Sequence, residues 1–119
     1  MLLKDNACFP WLLIVPEMPE GVEDLHQLDP SQYQELMELL RLVSLFVSGY
    51  FQTDKLNVAC IGNQVRQMHL HVVGRSESDA AWPGTVWASS AKSAWEPDRV
   101  ADIQEAARAA LGLGPVAPT

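Results

Sequence analysis

Residues 67–75, which read QMHLHVVGR, are the stretch around which the chain is organised. Apolar and polar side chains alternate over the first six positions, and a period of two is typical of a half-buried β-strand. The polar residues Gln67, His69 and His71 are expected on one face of this strand, with successive side chains about 7 Å apart. The apolar residues of the run are expected in the core: Met68, Leu70 and Val72.

The polar row is the best candidate for chemistry, because it holds two of the three histidines in the chain. Imidazole titrates near neutral pH and serves as a nucleophile, general base, hydrogen-bond donor or metal ligand. The polar face of an antiparallel strand is also often only hydrated. The spacing alone therefore leaves a catalytic pair and an inert pair equally open.

The segment before this strand predicts a second strand and a turn. Residues 56–61 read LNVACI, and the following Gly62-Asn63 is typical of a turn between two strands. This connection is expected to bring Asn63 and Gln64 to the end of the histidine row. Their amides, with the backbone N–H groups of the turn, are suited to holding a phosphate or a sugar without adding net charge.

Together these residues resemble the signature of a known family, the histidine triad (HIT) nucleotide hydrolases and transferases. The family motif is His-φ-His-φ-His-φ-φ, where φ is apolar. The resemblance runs from Asn6 to Arg75 and includes an upstream strand that ends at Pro16, similar to the family's Leu-Val-x-Pro. The positions that carry it are Leu56-Asn57, Ala59, Gly62-Asn63, Val65 and Gln67-x-His69-x-His71-Val72.

The resemblance implies a mechanism through a nucleotidyl-histidine. His69 stands at the position of the family's nucleophile, which attacks the α-phosphorus and forms a covalent intermediate that water or another acceptor opens. His71 stands where the family donates a hydrogen bond to the phosphate oxygens. The implied substrate is a purine nucleotide or dinucleotide, either a phosphoramidate or a dinucleoside polyphosphate. The mechanism needs no metal ion or other cofactor.

Two positions depart from the family pattern. Gln67 occupies the first triad position, and its amide can orient a neighbour but cannot change its protonation state near neutral pH. Trp11 stands where many members carry another histidine. Both departures resemble a bacterial branch of the family, and neither removes the nucleophile.

Residues outside the motif are assigned by position along the chain. Asn6 and Asn57 are expected on the ribose side of the nucleotide, although Asn6 is equally suited to making a turn only. Trp82 or Trp87 is expected either to border the site or to anchor the C-terminal part of the chain. Arg75 is expected to steer a phosphate or to be an ordinary exposed arginine.

Composition limits the function classes. The chain has 119 residues with a formal net charge of −7, which predicts one domain and gives no basic surface for nucleic acid or anionic membranes. No apolar run reaches the length of a membrane span. Cys8 and Cys60 form no recognisable metal or disulfide motif. A cytoplasmic protein is therefore predicted.

The remaining elements predict an α+β fold with about five antiparallel strands, one long helix and one C-terminal helix. Asp29 and Pro30 mark the start of the long helix, and the second helix is expected over 97–111. The tail 113–119 is expected to be flexible. An extra apolar row on the long helix predicts a second contact surface. The resemblance implies that this surface belongs to a homodimer, and cover by the chain's own C-terminal segment is the alternative.

Three function classes remain open from the sequence. The first is the HIT-type hydrolase or nucleotidyltransferase acting through His69. The second is a metalloenzyme with His69 and His71 as ligands, for which no third ligand is evident in the sequence. The third is a nucleotide-binding module without turnover, which the replacements at Gln67 and Trp11 would permit.

Overall fold

The computed structural model describes residues 1–112 and 117–118. This part of the chain contains a five-stranded sheet and two α-helices. Two single-turn 3-10 helices lie at Leu25–Gln27 and Val86–Ala88. The strands and helices follow in the order β1 (Leu2–Leu3), β2 (Trp11–Ile14), α1 (Pro30–Phe51), β3 (Lys55–Ala59), β4 (Leu70–Arg75), α2 (Pro97–Leu111) and β5 (Ala117–Pro118).

The strand order across the sheet is β3-β4-β2-β1-β5. β4 lies between β3 and β2 and is antiparallel to both, and β2 is antiparallel to β1. The predicted α+β fold is thus confirmed. The sheet is not antiparallel throughout, because β5 runs parallel to β1. Most of the tail that was expected to be flexible, 113–119, lies outside the described residues.

The strand β4, which was expected to hold both His69 and His71, is shorter than the alternating sequence predicts. It begins at Leu70, so Gln67 and His69 precede it. The ring of His69 bonds to the backbone carbonyl of Gln67 at 2.7 Å. This local contact takes the carbonyl that a longer strand would offer to its neighbour, because side-chain bonds to nearby backbone compete with the sheet.

The long helix α1 begins as the sequence predicts. The Asp29 carboxylate accepts a hydrogen bond from the Gln32 backbone at 2.8 Å, and the Gln32 side chain accepts one from the Asp29 N–H at 3.1 Å. Such a reciprocal cap satisfies two of the donors that a helix start leaves without partners. The helix packs one face on the sheet and buries Leu36, Val43, Phe46 and Val47.

The helix α2 covers part of α1 and buries Ile103 and Ala107 against the core. Arg99 joins the two helices, because its guanidinium donates to the Tyr50 hydroxyl at 2.6 Å. Leu45 on α1 nevertheless stays 59% exposed within the described part of the chain. The C-terminal segment therefore covers α1 only partly. No helix in the described residues has the length and apolar character needed to cross a bilayer.

Candidate active site

The face of the sheet opposite α1 carries the candidate site. Successive side chains of a strand point to opposite faces, so His71, Val73 and Arg75 of β4 share this face. β2 lies beside them in register, with Trp11 opposite Val73 and Leu13 opposite His71. A small second core forms here from Phe9, Trp11, Val73 and Val86.

The proton position on His69 follows from its hydrogen bond. His69 Nδ1 lies 2.7 Å from the Gln67 carbonyl oxygen. A carbonyl oxygen only accepts, so Nδ1 must carry the proton of the neutral ring. The Nε2 atom is then unprotonated and presents its lone pair, which is the state that a nucleophilic imidazole requires.

His71 carries its ring proton on the other nitrogen, Nε2, because of its hydrogen bond with Trp11. Trp11 Nε1 lies 3.0 Å from His71 Nδ1, and both side chains are buried. Indole nitrogen only donates, so Nδ1 is the acceptor and the ring proton is on Nε2. The pKa of His71 falls to about 4 because of burial first, and then because of the neighbouring charges of His69 and Lys4. His71 is therefore a neutral hydrogen-bond donor at pH 7.

The two imidazoles lie side by side at one cavity. Their ring centroids are 4.9 Å apart. The cavity has a volume of about 350 Å³, and its lining includes Asn63, Gln64, His69, His71 and Trp87. Both predicted turn residues, Asn63 and Gln64, thus line the same cavity as the two histidines.

Trp87 separates this cavity from a larger one. Its ring packs edge-on against His71 at 5.3 Å and against Trp11 at 5.8 Å between centroids. Its buried Nε1 has no hydrogen-bond partner among the described residues. The second cavity, of about 590 Å³, is lined by Trp11, Trp87, Asn6 and the lysines Lys4 and Lys92, among others.

Asn6 lines the second cavity, but its amide is engaged within the protein. Its Nδ2 donates to the Ala91 carbonyl at 3.0 Å. Its Oδ1 accepts from the backbone N–H groups of Cys8 at 3.2 Å and Ser93 at 3.3 Å. Asn6 therefore ties the β1–β2 connection to the segment before α2.

Gln67 does not stand in a row with the histidines. Its backbone carbonyl holds His69, but the residue itself is exposed and lines a separate cavity of about 530 Å³ with Glu23 and Arg66. In the described structure the cavity of the imidazoles is lined without it. The alternating pattern misplaced Gln67 because the regular strand starts three residues later.

Arg75 is buried, and its guanidinium is engaged within the protein. It is 2% exposed and forms two hydrogen bonds to the Asp79 carboxylate, at 2.8 and 3.0 Å. A third is donated to the Asn57 side-chain oxygen at 2.7 Å, so this oxygen is engaged within the protein. Its guanidinium lies 5.5 Å from the Trp82 ring centroid. Trp82 is therefore an anchor of the chain, and Trp87 borders the site.

Sequence reasoning missed two residues of this region. Asp79 accepts from Arg75 and from the backbone of Ser76, Ala81 and Trp82. These bonds, the one from Arg75 above all, hold the pKa of Asp79 far below its usual range. The only signal was an acid four residues after an arginine. Trp11 stands where many family members carry a histidine, and no sequence signal indicates its role as a donor to His71.

A family model described as the HIT domain matches residues 1–78. The chain belongs to the HIT family. Solved structures of other HIT proteins are similar over most of their length. A histidine triad protein from Bradyrhizobium japonicum is 36% identical, with a TM-score of 0.85 over 90% of this chain and 79% of that one. One from Marinobacter aquaeolei is 31% identical, with a TM-score of 0.85 over 92% and 80%.

A third HIT structure, from Sinorhizobium meliloti, is 28% identical with the same TM-score of 0.85, over 92% of this chain and 80% of that one. No curated protein matches the chain. Members of the HIT family bind nucleotides, and the family consists generally of nucleotide hydrolases and transferases. This HIT chain holds two imidazoles at a cavity, in complementary tautomers.

A metal centre receives no support from the described residues. Nowhere in that part of the chain do three or more His, Cys, Asp or Glu side chains gather closely enough to hold a metal ion. Zinc sites take three or four protein ligands, and the His69–His71 pair offers two. Neither Cys8 nor Cys60 takes part in a disulfide.

Proposed function

We propose that this HIT protein cleaves a purine nucleotide at its α-phosphate through a nucleotidyl-histidine on His69. The observation that carries the proposal is the 2.7 Å contact between His69 Nδ1 and the Gln67 carbonyl. It leaves Nε2 free of a proton, on a ring that lines a cavity. Because the backbone carbonyl makes this contact, the glutamine at the first triad position does not weaken it.

The chemistry proceeds in two displacements. The Nε2 lone pair of His69 forms a bond to the α-phosphorus, and the bond from phosphorus to the leaving group breaks with its electron pair on that group. Water or another acceptor then forms a bond to the same phosphorus, its proton passes to solvent, and the bond from phosphorus to Nε2 breaks with its electron pair on Nε2. His71 donates its Nε2–H to a non-bridging oxygen as negative charge develops. Asn63 and Gln64 supply further amide donors at the cavity.

The protonation states favour one class of leaving group. Gln67 cannot titrate, and His71, with a pKa lowered to about 4, is a neutral imidazole at pH 7 that donates a hydrogen bond but does not protonate a leaving group. An amine leaving group needs a proton as it departs, whereas a phosphate of a polyphosphate chain leaves as a stable anion. We therefore place dinucleoside polyphosphates ahead of phosphoramidates as the substrate. No metal or other cofactor enters these steps.

A nucleotide-binding module without turnover is the second candidate, and the same lack of a titrating acid favours it. The two candidates separate in one experiment. The intact protein is incubated briefly with diadenosine tetraphosphate and, separately, with an adenosine phosphoramidate, and its mass is measured together with substrate loss. A transient gain of one nucleotidyl group that is absent in His69→Ala supports the enzyme. Nucleotide binding without adduct or substrate loss supports the module.

The matched control for this experiment is His26→Ala. His26 is an exposed histidine in the 3-10 turn Leu25–Gln27 and lies outside the cavity of the imidazoles. Adduct formation in His26→Ala and its absence in His69→Ala assign the reactive ring. Adduct formation that survives His69→Ala would contradict the proposed mechanism.

We further propose a cytoplasmic homodimer. β3 is an edge strand, and Val58 on it is 44% exposed. Leu45 on α1 is 59% exposed. Light scattering measures the mass of the purified wild-type chain and of the variants Val58→Lys and Leu45→Lys. Loss of the dimer in either variant locates the contact, and a monomeric wild type refutes the dimer. Fractionation of the producing cells tests the location.

A further inference from the structure

The contact between Trp11 and His71 is built into the sheet. Trp11 begins β2 and His71 lies in β4, and these strands are neighbours joined by backbone hydrogen bonds. The indole N–H reaches His71 Nδ1 at 3.0 Å, across 60 residues of sequence. Both side chains are buried, with Trp11 7% and His71 8% exposed. Water therefore has little access to replace either partner.

We propose that Trp11 is a positioning residue that fixes His71 as the Nε2–H tautomer with that N–H directed away from Trp11. The inference rests on the proposed function for its catalytic consequence. Trp11 itself acts only through His71. Its indole donates to one side of the ring, and the opposite side becomes the donor for phosphate oxygens.

Indole suits this role because its N–H neither titrates near neutral pH nor accepts a hydrogen bond. An imidazole in the same place is able to donate or to accept, and its protonation changes near pH 6.5. With an imidazole there, the tautomer of His71 would depend on pH. With Trp11 there, the donor is permanent, and a proton on His71 Nδ1 would meet the indole N–H.

Other groups around His71 do not supply this contact. His69 is beside it and Lys4 lies at the end of β1, and both oppose a positive charge on His71. Asp5 and Lys92 line the neighbouring cavity beyond Trp87. Trp87 packs edge-on against the same imidazole at 5.3 Å. The only hydrogen bond given to the His71 ring by the described residues is the one from Trp11.

Two aromatic variants form a matched pair for the test. Trp11→Phe removes the indole N–H that bonds to His71, and Trp87→Phe removes an indole that only packs against it. The full chain is labelled with ¹⁵N, and long-range ¹H–¹⁵N spectra of its three imidazoles are recorded from pH 5.5 to 7.5. In wild type we expect His71 as the Nε2–H form throughout, with a scalar coupling across the Trp11–His71 hydrogen bond.

In Trp11→Phe we expect a mixture of tautomers and a raised pKa of His71, since a hydrogen bond that favours the neutral form has gone. Trp87→Phe is expected to keep the single tautomer. The kcat of Trp11→Phe should fall in proportion to the Nε2–H population measured in the spectra, with KM unchanged. An equal mixture would halve kcat.

A mixed or Nδ1–H tautomer in wild type overturns the inference, and so does a Trp11→Phe spectrum equal to that of wild type. The wild-type spectrum decides alone if Trp11→Phe does not fold. The outcome is separate from that of the proposed function. A fixed tautomer in a protein that forms no nucleotidyl adduct would refute the hydrolase and leave the Trp11 contact in place.

Discussion

Replacing Arg75 by methionine should destabilise the fold far more than the same replacement at Arg41. Arg75 and Asp79 are 2% and 7% exposed, and two hydrogen bonds join them. Arg75→Met leaves a buried carboxylate without its counter-charge. Breaking a buried pair in this way costs about 3–5 kcal/mol. With roughly 4 °C per kcal/mol for a domain of this size, the melting temperature should fall by about 12–20 °C.

Arg41 provides the matched control. It pairs with Glu38 at 2.6 Å, but these side chains are 59% and 57% exposed. Exposed helical pairs of this spacing contribute about 0.3–0.5 kcal/mol. Urea unfolding followed by circular dichroism gives the free energy of unfolding of both variants. A loss below about 1 kcal/mol in Arg75→Met, or equal losses in both variants, would refute the reasoning from burial.

The pH dependence of the free energy of unfolding gives a second check on the Arg75–Asp79 pair. The pKa of Asp79 is far below its usual range in the folded protein, so the ion pair adds stability above the unfolded pKa of about 3.9. This stability is lost as the pH falls from that value through the folded pKa. The difference between wild type and Arg75→Met should therefore be full near pH 6 and shrink below about pH 4. A difference that grows on acidification would contradict this assignment.

Gly74→Ala should lower the free energy of unfolding by about 1–3 kcal/mol, because a Cβ there would lie 2.5 Å from Thr53 Cγ2. Gly49→Ala on α1 meets no atom within 4 Å and should raise it by about 0.5–1 kcal/mol. Urea unfolding measures both variants, and a change in the same direction in both would contradict the prediction. Gln67→Ala keeps the carbonyl that holds His69 and should change kcat by less than about threefold, so a much larger loss in steady-state assays would show that the side chain acts. Wild type should lose stability as the pH falls from about 6.5 to about 4, because the unfolded chain binds a proton there that the folded His71 does not. His71→Phe should lack this loss. Parallel pH profiles of the free energy of unfolding for both proteins would count against the prediction.

The parts of the fold that depend on local rules were predictable. The α1 start follows from the Asp29 and Gln32 cap, whose partners are three residues apart. The burial of Met68, Leu70 and Val72 follows from their alternation. The placement of Asn63 and Gln64 beside the imidazoles follows from a turn between neighbouring strands. Each of these needs only residues that are close in sequence.

The parts that depend on distant contacts were not predictable. The indole of Trp11 meets His71 because β2 pairs with β4 in one register, and nothing in either segment alone specifies that register. Arg75 is buried because Asp79 and Asn57 both reach it. Gln67 lies outside the regular strand, which begins at Leu70, and its backbone carbonyl bonds to the His69 ring. The positions of Arg75 and Gln67 involve side-chain hydrogen bonds that the pattern of hydrophobicity does not encode.

The wall between the two cavities comes from beyond the part of the chain that the HIT model matches. That match ends at residue 78, whereas Trp87 lies on the turn Val86–Ala88 and the partners of Asn6 lie at Ala91 and Ser93. Trp87 and the two imidazoles that line the same cavity thus lie in separate segments of the chain. Under the proposed function, substitutions at Trp87 are expected to change which nucleotides fit the cavity, whereas the hydrogen bonds that orient both imidazoles do not involve Trp87.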